Sequence, residues 1–208
     1  MNNLETSTKA KTLKFLEKYQ KNLNFKIPES FYFTLSDYKK KQYKILDQII
    51  KKFRNEKLII RSSSIDEDNI DNSSAGKYNS YQNVRCEIKE LKKYINLVIE
   101  KFKNRKDQVL VQEYIENVDI SGVVFTRNLN NNGPYYYINY DNSGKTNLIT
   151  GGSFFEDTKC LVVSRYKFKK SNKFKKLLLI CNKFERIFKN DRLDIEFCIK
   201  KNKIIIFQ

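Results

Sequence analysis

Apolar residues recur at helical spacing in four stretches of the chain. Leu13, Leu16, Tyr19 and Leu23 mark one face of a helix expected from Lys9 to Asn22, with Thr8 as its cap. Leu46, Ile49, Ile50 and Phe53 form the stripe of a second, starting at Ser36 or Asp37 and running to about Arg54. Ile88, Leu91, Ile95, Val98, Ile99 and Phe102 predict a third over Glu87–Asn104. Phe174, Leu177, Leu178, Cys181, Phe184 and Phe188 predict the last, over Asn172–Lys189. Such stripes are core-facing by default.

Strand signals lie between and after them. KIPESFYFT is a proline-marked turn into a strand at Phe31–Thr34, and Lys57–Ile60 is a short β-branched run. From Gln108 the pattern is dominated by short strands, VLVQEYI, ISGVVFT, YYYINYD, TNLIT and KCLVVS, with Asn and Gly between them. RLDIEFCI and KIIIFQ then flank a turn at Lys200–Asn202. A helix-rich half before a sheet-rich half predicts an α+β protein with a lobe boundary near Arg105, the lobes being about 1–105 and 106–208.

Composition narrows the function classes. Forty-one basic against 24 acidic residues give a net charge of +17, an attraction for anions of every kind. The lysines are spread over nearly every segment, whereas a nucleic-acid footprint should cluster on one face, so nucleic acid is not the expected partner. The chain has no histidine, which excludes His-dependent triads, HExxH metal sites and a phosphohistidine within it. Cys86, Cys160, Cys181 and Cys198 are far apart with no C-x-x-C pair, which argues against a cysteine metal site or a disulfide framework. No apolar run approaches the ~20 residues of a membrane span, and the N-terminus lacks a signal-peptide pattern, so a cytoplasmic protein is expected.

Two constellations carry candidate chemistry. In Lys57–Val84 a strand leads to Arg61, then Ser62, Ser63 and Ser64, the acidic run Asp66, Glu67, Asp68 and Asp71, and the small residues Ala75 and Gly76. A guanidinium fork beside hydroxyls and a glycine turn suits a polyphosphate, although the same composition also describes a solvated loop. There is no P-loop and no G-x-G-x-x-G, and Asp71 and Lys77 stand where a calcium loop needs Gly and Glu. Asp194 and Glu196, two apart on a strand, share one face, and Gln208 ends the following strand. Two carboxylates and an amide would suit a magnesium ion bridging phosphates; a solvated pair facing lysines is the plainer alternative. In QEYIE the backbone after Val109–Val111 could hydrogen-bond an adenine edge, with Val123, Val124 and Phe125 as pocket walls or as core.

Together these pieces resemble a family. LIIRSSSIDED with SSAGKYNSYQNV, VLVQEYI with SGVVFTRN, LDIEFCIKKNKIIIFQ, and TKAKTLKFL with KIPESFYFT are similar to four ordered blocks of one domain. That domain is the N-terminal nucleotide-binding domain of phosphoenolpyruvate synthase and pyruvate phosphate dikinase. INYDNSGKTNLITGG resembles a divergent, L-glutamine kinase-like branch from bacterial capsule polysaccharide clusters. The resemblance implies an ATP-grasp fold, two α/β lobes with a mostly antiparallel sheet in the C-terminal one, holding ATP and Mg²⁺ between them. It implies that Lys9 and Arg61 contact phosphates and act in catalysis, with Ser62 beside them. Gln112, Glu113, Tyr114 and Ile115 match the adenine-binding segment; Asp194 and Gln208 match nucleotide contacts, and Glu196 and Gln208 metal ligands. The phosphoryl or pyrophosphoryl group would pass to a histidine on a separate swivelling domain or subunit.

The departures are specific. Thr8 replaces the glycine before the N-terminal lysine, the family's GLGE motif is replaced around NYDNSGKTN, and Phe197 stands for a tryptophan. The sequence stops at Gln208, before the Arg-Pro that should follow, so a fragment or a split subunit is expected. Rival expectations are a nucleotide-binding or structural remnant without transfer activity, and a basic nucleic-acid-binding protein.

Overall fold

A computed structural model describes residues 8–54, 56–64, 80–128, 131–144, 158–167 and 173–208. The chain forms two compact units, Met1–Lys14 with Pro28–Ile115, and Phe15–Ile27 with Glu116–Gln208. Each is an antiparallel sheet with its longest helices on one face, and the class is α+β as expected.

In the first unit β1 (Ser30–Thr34), β4 (Gln108–Glu113), β2 (Lys57–Ser63) and β3 (Ser80–Arg85) form a sheet in the order β1-β4-β2-β3. The helices α3 (Leu35–Phe53) and α4 (Ile88–Ile99) bury Leu46, Ile49, Phe53, Leu91, Ile95 and Val98 against Phe33, Leu58, Ile60, Val84, Val109 and Val111. The strand residues alternate, so the helices cover one face only. Thr34 caps α3 in a capping box: its hydroxyl oxygen accepts from the Asp37 amide at 3.0 Å, and the Thr34 N–H donates to the Asp37 carboxylate at 3.3 Å. The start of α3 is therefore one or two residues before the position that Ser36 or Asp37 suggested.

Three further expectations change. The helix α1 (Lys9–Leu16) is shorter than expected; a 3₁₀ turn (Glu17–Tyr19) and a short α2 (Gln20–Leu23) replace the rest of the predicted first helix. The Gln20 side chain accepts from the Ile27 amide at 2.8 Å, and Asn24, at φ 56°, ends α2 and turns the chain. The strand β2 does not stop at Ile60 but runs through Arg61, Ser62 and Ser63, all buried. The division falls at Ile115/Glu116 rather than near Arg105, because β4 pairs with β1 and β2 and so belongs to the first sheet. The expected strand TNLIT and the acidic run with Ala75 and Gly76 lie outside the described residues.

The second unit is the five-stranded sheet β7-β6-β5-β8-β9: β7 (Lys159–Ser164), β6 (Tyr135–Asp141), β5 (Ile120–Phe125), β8 (Asp194–Lys200) and β9 (Lys203–Ile206). Leu177, Leu178, Cys181 and Phe184 of α5 (Lys175–Phe188) pack on Val124, Tyr136, Ile138, Ile195, Phe197, Ile204 and Ile206, with Leu16 and Phe25 completing the cluster. Lys26 bridges β9 through Lys26 N–H to Ile204 O (2.9 Å) and Ile206 N–H to Lys26 O (2.8 Å), which caps that sheet edge. β5 and β6 approach closely at Gly122, where a Cβ would lie 2.2 Å from the Asn139 carbonyl oxygen.

Candidate functional site

The face of the first sheet away from α3 and α4 is polar yet buried. Ile59, Arg61 and Ser63 lie on it opposite Gln112, Leu110 and Gln108 of β4, and Ser80 of β3 stands opposite Arg61. The start of α1 is pinned onto this face. The Thr8 hydroxyl donates to Gln108 Oε1 at 2.7 Å, and the Ala10 amide donates to Ser63 Oγ at 3.0 Å. Thr8 thus both begins the helix and anchors it, and it places Lys9 between two residues fixed to the Arg61 face. Arg61 is only 5% exposed.

Not every polar atom here has a partner. Gln112 is completely buried, and among the described residues neither its amide oxygen nor its nitrogen has a hydrogen-bond partner; the buried Ser80 hydroxyl has none there either. Each such group costs about 1–3 kcal/mol, so several near one buried arginine are a marker of a ligand face. The residues sequence reasoning missed are Gln108, Ser63 as an anchor, and Ser80. The signal was present for one pair: Gln108 and Gln112, four apart in an apolar strand, share a face.

Other candidate residues of this unit are placed differently. Ser62 alternates onto the helix-covered side with Leu58 and Ile60, away from Arg61. The Glu113 amide donates to Glu29 O at 2.9 Å and the Tyr114 amide to Lys57 O at 2.8 Å, so both amides serve the sheet. Ile115 is buried at the end of the unit.

In the second unit the face away from α5 carries Asp194 and Glu196, as their spacing requires. Asp194 stands opposite Phe125, and Glu196 opposite Val123. Tyr137 and Asn139 of β6 continue those two rows. Of the three residues considered as pocket walls, Val124 faces the α5 core, while Val123 and Phe125 are partly exposed on the carboxylate face. Phe197 pairs with Ile206, so Phe207 falls beside Glu196 and its amide donates to the Glu196 carbonyl at 2.9 Å; Gln208 is one residue further on. Asp194 is exposed and Glu196 half-buried.

Among the described residues no three Asp, Glu, Cys or His side chains come together as a metal nest. The carboxylates on this face, Asp194 and Glu196, share one strand side. Hard oxygen ligands in that number fit Mg²⁺, which keeps waters and takes phosphate oxygens to complete its octahedron. Two of the thiols are poor ligands: burial pushes Cys198 up to about 12 and raises Cys181 as well.

Similar solved structures share this backbone path. D-alanyl-alanine synthetase A from Vibrio cholerae matches 98% of this chain over 55% of its own, at 10% identity and TM-score 0.52. VanG D-Ala:D-Ser ligase from Enterococcus faecalis matches 94% over 50% of its own, at 12% identity and TM-score 0.50. The D-alanine-D-alanine ligase from Coxiella burnetii matches 94% over 45%, at 10% identity and TM-score 0.50. The fold is that of the ATP-grasp ligases. The chain spans about half the length of these proteins, and at such identity the likeness concerns architecture alone. No protein-family model matches the chain, and no curated protein sequence does. No helix among the described residues is long and apolar enough to cross a membrane.

Proposed function

We propose that this chain binds Mg-ATP and is the nucleotide-binding part of an ATP-dependent phosphotransferase. The observation that carries the reading is the buried polar face of the first sheet. Arg61 and Gln112, an amide with no partner among the described residues, are kept dry there beside a helix start anchored through Thr8 and Ala10. Unsatisfied buried groups are few in folded proteins and call for an explanation, which a bound ligand would supply. The ATP-grasp architecture supports a nucleotide as that ligand.

In this reading Lys9 and Arg61 serve the phosphates, a point charge and a planar fork stabilising charge that moves between phosphoryl oxygens. Gln112 and the Glu113–Ile115 segment serve the adenine. With the Glu113 and Tyr114 amides committed to the sheet, their carbonyls and the next amide are the groups to read its edge. Asp194 and Glu196, with Gln208, would hold magnesium, which would supply positive charge to phosphate oxygens. The resemblance to phosphoenolpyruvate synthase and pyruvate phosphate dikinase points to donation of a phosphoryl or pyrophosphoryl group to a histidine. Because the chain has none, that histidine belongs to another domain or subunit. The L-glutamine kinase-like branch adds an amino-acid amide as final acceptor. The D-alanine ligases of similar fold favour a second reading, in which an amino-acid carboxylate receives the γ-phosphoryl group.

A thermal melt with and without Mg-ATP tests the binding. At a hundredfold excess over Kd a ligand adds about 2.7 kcal/mol, a rise of several degrees, which Arg61→Ala or Glu196→Ala should remove. An unchanged melting temperature in the wild type overturns the proposal. Nucleotide products then separate the chemistries: AMP marks pyrophosphoryl transfer to the histidine partner, and ADP marks transfer of the γ-phosphoryl group alone.

A further inference from the structure

The second unit contains a buried ionic network that the nucleotide reading leaves unused. Arg165 follows β7, and its guanidinium grips the Glu185 carboxylate of α5 as a fork, Nη1 to Oε1 at 2.5 Å and Nη2 to Oε2 at 2.8 Å. Nη1 also donates to the Thr126 carbonyl at 2.7 Å, and the guanidinium lies 5.0 Å from the Tyr136 ring centroid. The Arg165 side chain is 16% exposed and that of Glu185 6%. Thr126 passes the constraint on. Its amide donates to Leu193 O at 2.9 Å, its hydroxyl donates to Asp191 O at 2.8 Å, and the Leu193 amide donates back to that hydroxyl at 2.8 Å. Arg127 clamps the same loop by donating Nε and Nη2 to Asp191 Oδ2. The residue after Leu193 is Asp194, which pairs with Phe125, the residue before Thr126.

A buried ion pair is a poor source of net stability, because desolvation offsets most of its attraction. What it supplies is fixed geometry. Asp194 is the first residue of β8 and exposed, the place where a strand end frays, and a one-residue slip would turn both carboxylates toward α5. We infer that Arg165, Glu185 and Thr126 are positioning residues that hold the entry of β8, and so set where Asp194 and Glu196 present their carboxylates to a divalent cation. The inference rests on the assignment of magnesium to those carboxylates.

The test compares ATP affinity in EDTA with ATP affinity in saturating Mn²⁺, using the whole chain well below its melting temperature. The ratio of the two is the contribution of the metal. Arg165→Lys keeps a charge beside Glu185 but loses the fork and the bond to Thr126. Thr126→Val removes the hydroxyl at nearly constant volume, and Thr126→Ser restores it. Arg165→Lys and Thr126→Val should lower the ratio about tenfold, the usual scale for outer groups that orient metal ligands, with metal-free affinity unchanged and Thr126→Ser close to wild type. Lower melting temperatures with the wild-type ratio would make the network merely structural and overturn the inference. A wild-type chain without any Mn²⁺-dependent gain, or one whose gain survives Asp194→Ala, would instead refute the magnesium assignment and the inference with it.

Discussion

The two sheets are built alike and finished differently. Each has one face dried by helices, α3 and α4 on the first and α5 on the second. The remaining face of the first sheet is polar and sealed from water, with Arg61, Gln108 and Gln112 at 5%, 5% and 0% exposure. That of the second is partly wet and carries two carboxylates among Val123, Phe125, Tyr137 and Asn139. A sealed polar face is costly unless a ligand completes it; a wet carboxylate face costs little and waits for a cation. The difference teaches where to look for energetic evidence of function: stability measurements report on the first face, and metal titrations on the second.

The largest effects belong to the helix-covered faces, which serve as the baseline. Phe184 is 1% exposed and packs edge-on against Phe25 at 5.2 Å between centroids. Phe184→Ala should cost about 3–5 kcal/mol, read as a lowered denaturant midpoint. A cost below about 1 kcal/mol would show that the second unit lacks the close-packed core that fixes β8.

A change of sign is expected on the sealed face. Gln112→Leu replaces a desolvated amide with an apolar side chain of similar size, so the ligand-free protein should gain about 1–3 kcal/mol while losing the Mg-ATP response. Asp194→Asn, on the wet face, should leave the ligand-free melting temperature within about 0.5 kcal/mol of wild type. If Gln112→Leu destabilises instead, the amide is satisfied in solution and the contrast between the faces disappears.

Local patterns reported on helices, faces and the closing hairpin of β8 and β9, and were silent on long-range pairing. The stripes of α3, α4 and α5 were legible because a 3.6-residue period is a local property, as was the shared face of Asp194 and Glu196. The strand β3 was not, since SYQNVR is polar at nearly every position and bulges at Asn83, φ 57°, where its register with β2 shifts. Arg61 to Ser63 have the composition of a loop, and only pairing with Leu110, Val109 and Gln108 makes them strand. The unit boundary depends on β4 joining β1, a partner almost eighty residues earlier, which no local window encodes. The same holds for Arg165, whose partners Glu185 and Thr126 are 20 and 39 residues away.

The smallest expected effect probes the clamp at the edge of the wet face by pH. The Arg127 guanidinium bonded to Asp191 holds that carboxyl below its ordinary value of 3.8. A carboxyl with a depressed folded-state value contributes stability that is complete above its unfolded value and is lost as pH falls through the folded one. Wild type should therefore lose this contribution only below about pH 4, and Asp191→Asn should show a flatter acid limb with little change at neutral pH. The difference is modest because both side chains are partly exposed, at 29% and 45%, and water screens their attraction. Superimposable acid limbs for the two proteins would mean that Arg127 does not hold Asp191 in solution. The loop into β8 would then depend on Thr126 alone.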